Sequence, residues 1–400
     1  MPRRTTAKIL ATTLLGTMDS NALVPVIALY AASLGADLVQ IGIIVGLYSA
    51  VHAPANLLFG RIADRWGRVR PLRIGLIWDA ASMVLYAVAG SPLALALARI
   101  SHGIGGGLVG PSTMALASDA ATEERRGRAM ALYGISIAFA VILGTGLAGP
   151  ITSRIGFAAL FGVLAMGLLI GFAISLFIRE TPRAGAARAA WRHVLAHVRA
   201  PGPAAGYAAI FTLYFLLGAF TALVPLHLRD ELGYGTLEVG LSFTAFAVLS
   251  LLLHYPAGIL SDRYGAAMPA LIGIVATAIA MATLPVVRDV PSILVVIGLF
   301  GIGHGFVFPS SSALVTRGAD PSSRGLVTGL FYSLLVAGVA VGAPTMAALA
   351  SAEGSYAFGI WASAWFSLLG IALLARAILR TPSEETAAAA QSAGGTVNGR

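Results

Sequence analysis

Gly60-Arg61-Ile62-Ala63-Asp64-Arg65-Trp66-Gly67 returns 198 residues later as Gly258-Ile259-Leu260-Ser261-Asp262-Arg263-Tyr264-Gly265. The same offset joins Gly35 to Gly233, Gly42 to Gly240 and Pro71 to Pro269. It also joins Gly103, Gly105, Gly107, Pro111 and Ser112 to Gly301, Gly303, Gly305, Pro309 and Ser310, and Arg126-Gly127 to Arg324-Gly325. Before residue 35 the register slips by two, so Ala22-Leu23-Val24-Pro25 answers to Ala222-Leu223-Val224-Pro225. A fixed period of this kind marks a duplicated unit.

Hydropathy says what the unit is. The chain is 58% hydrophobic and 11% charged, against about 25% charged in soluble domains, so its solvent is lipid. Spans of roughly 20 apolar residues are predicted at 8–33, 39–59, 72–89, 93–117, 129–151, 156–178, 206–228, 237–258, 269–287, 291–316, 326–349 and 356–379. Only helices and closed barrels cross lipid, and runs this long exclude the barrel. The expected fold is all-α and membrane-integral, with 12 transmembrane helices in two pseudo-symmetric six-helix bundles. The expected divisions are a first bundle at 1–178, a linker at 179–205, a second bundle at 206–380 and a disordered tail at 381–400. An even number of spans per repeat sends both halves into the membrane in the same direction. They are then related by an axis along the membrane normal, with a cleft between them that rocking opens to alternate sides.

Charge sets the orientation. Of the 26 Lys and Arg, 22 fall on one side of this arrangement, and only Arg154, Arg229 and Arg288 fall on the other, with Arg99 inside a span. Lys and Arg accumulate in cytoplasmic loops, so both termini are expected in the cytoplasm. The net charge of +9 is thereby a topology signal, and no nucleic-acid partner is expected. The basic start and apolar run have the shape of a signal peptide ending at Ala31-Ala32-Ser33. Asp19-Ser20-Asn21 interrupts the run, which reads better as a first span. In the linker, Trp191, Val194, Leu195 and Val198 share one helical face with Arg188, Arg192 and Arg199 elsewhere, the pattern of a helix lying on the membrane surface.

On these residues the chain resembles the major facilitator superfamily over essentially its whole length. Gly60 to Arg70 is similar to that family's loop 2–3 motif, and Gly258 to Gly265 to its second-half copy. Arg99-Ile100-Ser101-His102-Gly103-Ile104-Gly105 resembles a helix-4 motif whose intramembrane Arg is tied to proton coupling. Gly144-Thr145-Gly146-Leu147-Ala148-Gly149-Pro150 resembles the glycine-proline motif of the drug:proton antiporter branch, so Gly144, Gly146, Gly149 and Pro150 are marked as a helix-5 motif. The resemblance implies a conformational gate built from Gly60, Asp64, Arg65, Gly67, Arg68 and Asp119, with Gly258, Asp262, Arg263 and Gly265 as its second copy. It also implies that helices 1, 4, 7 and 10 line the cleft.

Charges within spans cost about 2.5–3.5 kcal/mol each at the helix centre, which makes Asp19, Asp79 and Arg99 candidate functional residues. At the repeat offsets they become Ala219, Thr277 and Ile297. Features present in both halves serve the architecture, and features present in one serve the task. The expected coupling site is therefore Asp19 with Arg99 tuning it, joined by Asp79, His304 and His254. A carboxylate deprived of water keeps its proton, and a nearby guanidinium helps release it. The bland alternative is a static Asp19–Arg99 or Asp79–Arg99 pair. Phe211, Tyr214, Phe215, Phe220, Phe306, Phe308, Phe331 and Tyr332 suit helix packing or a greasy pocket.

With no Cys, no Walker loop and no G-x-S-x-G or H-E-x-x-H, no enzyme, metal site or cofactor is expected. The expected function is secondary active transport by alternating access, as proton-coupled efflux of amphiphilic or drug-like compounds. Uptake or export of a metabolite or sugar is the nearest alternative, and a lipid flippase or a non-transporting sensor the alternative of another class. The expected partners are a small-molecule substrate, protons and membrane lipids, for a monomer in a bacterial or archaeal inner membrane.

Overall fold

Within hydrocarbon each backbone N–H and C=O must find its partner inside the segment, so long apolar runs become helices. The computed structural model describes residues 3–121, 126–180, 196–319 and 324–380; within them the side chains of 3–4, 60–66, 126–127, 324–325 and 380 lie outside the described residues. The tail 381–400 and most of the expected surface helix, including Trp191, Val194 and Leu195, also lie outside them.

The first half holds α1 (Arg3–Leu23), α2 (Ile27–Ser33), α3 (Leu38–Trp66), α4 (Val69–Val88), α5 (Pro92–Asp119), α6 (Arg126–Ile155) and α7 (Phe157–Ser175). The second holds α8 (Pro201–Asp230), α9 (Thr236–Tyr264), α10 (Ala267–Thr283), α11 (Val290–Thr316), α12 (Arg324–Ala352) and α13 (Tyr356–Arg380). Eleven of these helices are long and apolar enough to cross a membrane, and α1 with α2, bent by 51°, makes a twelfth. The bend falls at Pro25, which lacks an N–H and crowds the preceding turn.

The duplication extends to backbone geometry. Gly35, Gly67 and Gly156 turn the chain with φ of 83°, 93° and 98°, and their mates Gly233, Gly265 and Gly354 do so with 73°, 79° and 61°. Side chains rarely tolerate that region. Helix packing repeats as well. A Cβ on Gly75 would press on Leu108 and Val109, and one on Gly273 would press on Phe306 and Val307. Gly103 lies against the Tyr48 carbonyl as Gly301 lies against that of Phe246.

Two apolar cores show how the halves meet. The larger contains Ala22, Val26 and Ala31 around the α1–α2 break, Ile41, Ile44 and Val45 of α3, Leu223, Leu226 and Leu228 of α8, and Ala343, Ala347 and Ala350 of α12. These are helix ends remote from the Arg-rich loops, drawn from both halves. There α3 meets α12 closely enough that a Cβ on Gly46 would lie 3.0 Å from the Ala340 carbonyl. Likewise one on Gly149 of α6 would lie 3.0 Å from Gly240 Cα of α9. At the Arg-rich end the second half has a separate core of its own, including Leu213, Ile274, Val315, Val327 and Leu374. The first half's Val69, Leu72 and Leu116 at that end belong to the larger core. Among the described residues, the shared core thus joins the halves at the ends remote from the Arg-rich loops.

Candidate functional site

Asp19 on α1, Asp79 on α4 and His102 on α5 meet in the interior of the first half, at 2%, 1% and 0% exposure. Each offers a ligand-type atom, and these atoms lie within 4.8 Å of one another. His102 Nε2 is 3.2 Å from Asp19 Oδ2, and His102 Nδ1 is 3.2 Å from the Tyr86 hydroxyl. With a neutral ring and an ionised Asp19, Nε2–H donates to the carboxylate and Nδ1 accepts from Tyr86. Among the described residues, neither buried Asp79 oxygen has a hydrogen-bond partner. Gly105 makes the room for this carboxylate, since a Cβ there would collide with Asp79 Oδ1. Gly144 brings α6 onto the same stretch of α1, where a Cβ would lie 2.7 Å from the Met18 carbonyl.

Arg99 reaches across to α3. Its Nε and Nη2 donate to the carbonyls of Ile44 and Val45 on α3 at 3.0 and 2.9 Å. Its guanidinium lies over the Tyr48 ring, 5.0 Å from the centroid. Among the described residues it forms no ion pair with Asp19 or Asp79, so the static pair is absent. A guanidinium has five donors to satisfy, and the carbonyls of a close-packed neighbouring helix are the acceptors it finds. Tyr48 also packs on His102 and on His52, at 4.7 and 5.0 Å between ring centroids. Chemically the cluster can hold and hand over a proton along Tyr86, His102 and Asp19, with Asp79 as a second carboxylate. Two carboxylates and an imidazole at this spacing also have the donor types a divalent cation accepts.

The second half replaces every member of this cluster. At the repeat positions of Asp19, Tyr48, Asp79, Arg99 and His102 stand Ala219, Phe246, Thr277, Ile297 and Phe300. Phe220 stacks on Phe300 at 4.6 Å and Phe246 lies 5.8 Å from it. Thr277 satisfies itself on the Ile274 carbonyl at 2.8 Å. The fold therefore accommodates apolar packing at these positions, and the ionisable set belongs to the first half alone. His254 and His304 lie in the second half, their ring centroids 6.2 Å apart, among second-half aromatic residues rather than in this cluster.

At the Arg-rich end, Arg68 Nε pairs with Asp119 Oδ2 at 3.2 Å. Gly67 turns toward Glu180, whose carboxylate accepts from the Arg68 and Val69 amides at 2.6 and 3.1 Å. That carboxylate caps the N-terminus of α4. Arg73 Nη2 donates to the carbonyls of Ser175 and Leu176 at 3.1 and 3.2 Å, covering the end of α7. Asp64 and Arg65 have side chains outside the described residues, as does Gly60 in its surroundings. In the second copy Asp262 and Arg263 are exposed, Arg263 lying over Tyr264, and a Cβ on Gly258 would meet nothing. Of the helix-5 motif, Gly149 faces α9, Gly146 lies near Thr244 of α9, and Pro150 sits within α6.

His102, Tyr86, Tyr48 and Glu180 were not expected from sequence. The repeat carried a signal for all four, because His102, Tyr48, Tyr86 and Glu180 become Phe300, Phe246, Leu284 and Ile378.

The family model for the Major Facilitator Superfamily matches residues 9–235 and 206–397. The inner membrane transport protein YajR of Escherichia coli is 34% identical over 156 residues, 38% of this chain and 34% of that protein. The multidrug resistance protein MdtH of Cronobacter sakazakii is 26% identical over 313 residues, 78% of this chain and 77% of that protein. The mouse synaptic vesicular amine transporter is 24% identical over 322 residues, 79% of this chain and 62% of that protein. A solved bacterial homologue of the human lysosomal transporter Spinster, inward-facing and unoccupied, superposes with a TM-score of 0.81 at 16% identity, covering 94% of this chain and 98% of that one.

Proposed function

The chain belongs to the major facilitator superfamily, and on that premise we propose that it exports amphiphilic, drug-like compounds across the inner membrane in exchange for protons. It is a multi-pass membrane transport protein and not an enzyme. The observation that carries the coupling is the Asp19–Asp79–His102 cluster, buried at mid-span, unrepeated in the second half and holding a carboxylate without a partner. Such a group is costly in lipid, and a protein keeps it where the task requires it.

The relatives named multidrug resistance proteins and the vesicular amine transporter support small organic compounds as cargo. The Arg-rich loops support a cytoplasmic position for both termini. With that orientation the cleft opens to the cytoplasm and the joined helix ends close the outer face. A compound enters from the cytoplasm while the cluster releases protons inward. Rocking then exposes both to the outside, where protons rebind and the compound leaves. Arg68–Asp119 and the Glu180 cap hold the Arg-rich end of the first half together as one body while it moves.

Everted vesicles test this reading. A fluorescent lipophilic cation is expected to accumulate inside wild-type vesicles only while the interior is acid, and to leak out when the gradient is collapsed. Accumulation that survives gradient collapse, or depends on sodium instead, would refute proton exchange.

A further inference from the structure

Positions one helical turn nearer the Arg-rich end carry a different chemistry in the second half. His304 on α11 lies between Ser250 and Tyr214, with Nδ1 2.7 Å from Ser250 Oγ and Nε2 3.3 Å from the Tyr214 hydroxyl. His254 on α9 has Nδ1 2.6 Å from the Ser250 carbonyl oxygen. A carbonyl only accepts, so Nδ1 carries the proton, and in the neutral ring Nε2 is left as an acceptor. No hydrogen bond to that Nε2 occurs among the described residues. The Phe308 ring stacks with His304 at 6.1 Å and 7°, and lies 5.8 Å from the His254 ring. Phe246 meets His304 edge-on at 5.5 Å.

The repeat shows that the fold does not require this arrangement. The first-half mates of Ser250, His254, His304 and Phe308 are His52, Asn56, Gly106 and Gly110. Large and small residues have changed places across the packed helices. At Gly106 a Cβ would lie 2.7 Å from the Tyr48 hydroxyl, so a ring such as that of His304 has no room there. The second half thus sets an unused imidazole acceptor beside aromatic faces. The cations on α8, α9, α11 and α12 stand only at helix ends, as Arg229, Arg263 and Arg324, and none lies among these rings. Aromatic faces carry negative potential that attracts cations.

We propose that His254, Phe308 and the Tyr214–His304 pair form a binding site for a protonated aromatic amine, its ring against Phe308 and its N–H donated to His254 Nε2. The proposal rests on the efflux reading and assigns the substrate's aromatic amine end to the second half, apart from the carboxylates of the first.

The test is equilibrium binding to the purified full-length chain in detergent, read by probe fluorescence. The probes are 1-pyrenylmethylammonium and its trimethylammonium analogue, which share ring and charge, while only the first donates hydrogen bonds. His254→Phe keeps a ring and removes the acceptor. It is expected to weaken the primary amine about 10-fold, the scale of a hydrogen bond involving a charged group, and to leave the analogue within about 2-fold. His254→Gln, which restores an acceptor, is expected to recover most of that discrimination. Phe308→Leu is expected to weaken both probes by roughly 2- to 10-fold. Melting temperature and elution volume check that each variant is folded. Equal effects of His254→Phe on both probes, or no effect of either variant, would overturn the site. If the wild type exchanges protons for these compounds while His254→Phe keeps full discrimination, the site fails and the efflux reading stands. If the wild type binds neither probe, both fail.

Discussion

Replacing Asp79 with Thr gives the first half the residue that the second half already carries at position 277. The structure supplies both sides of the comparison. Asp79 is 1% exposed, and among the described residues both its oxygens lack a partner. A buried polar group left unsatisfied costs about 1–3 kcal/mol, and a charged one more. Thr277 in the same packing environment, opposite Gly303 as Asp79 is opposite Gly105, closes its own hydrogen bond to the Ile274 carbonyl at 2.8 Å. A Thr at 79 has the Leu76 carbonyl at the same helical spacing. Asp79→Thr is therefore expected to stabilise the protein by about 1–3 kcal/mol and to impair proton exchange. The assay is thermal unfolding of the purified variant, paired with substrate-induced proton release in weak buffer. A rise in melting temperature with loss of release is the expected result. A variant that unfolds earlier yet releases protons as the wild type does would refute the reasoning, because Asp79 would then be a structural residue.

Arg99→Lys should cost about 1–3 kcal/mol of stability, since a single ammonium cannot reproduce a guanidinium fork on the Ile44 and Val45 carbonyls; thermal unfolding checks it. Glu180→Ala removes the cap on α4 and should cost about 0.5–2 kcal/mol, seen as earlier unfolding with unchanged probe affinity. Gly149→Leu places side-chain atoms where Thr236 O and Gly240 Cα already stand, and should hold the outer ends apart. The chain has no Cys, so a single Thr244→Cys reports this as faster labelling by an impermeant maleimide from the outer face. Mn2+ should leave the melting temperature unchanged if the cluster handles protons; a rise that Asp79→Asn abolishes would make it a metal site.

Much of this was legible because the repeat acts as an internal control. The repeat, at offset 198 and at 200 before residue 35, separates glycines that shape turns and helix crossings from charges that occur once, and it marks Asp19, Asp79 and Arg99. Partnership was less legible. Asp19 and His102 are 83 residues apart, and no local pattern says that their helices bring them together. Arg99 shares a helix with His102 one turn away, yet its side chain reaches across to α3 and not to Asp19, because carbonyls beside the close-packed Gly46 lie within its span. Glu180 follows α7 in the chain, and only the fold brings it to the first turn of α4.

The central claim is that the first-half cluster exchanges protons for cargo. Its most direct test follows the interior pH of everted vesicles with an imposed acid interior when the trimethylammonium analogue, which has no membrane-permeant neutral form, is added, comparing wild type with Asp19→Asn. The account predicts alkalinisation in wild-type vesicles and none in the variant, which still binds the compound. Equal alkalinisation in both would place proton exchange outside this cluster and contradict the account.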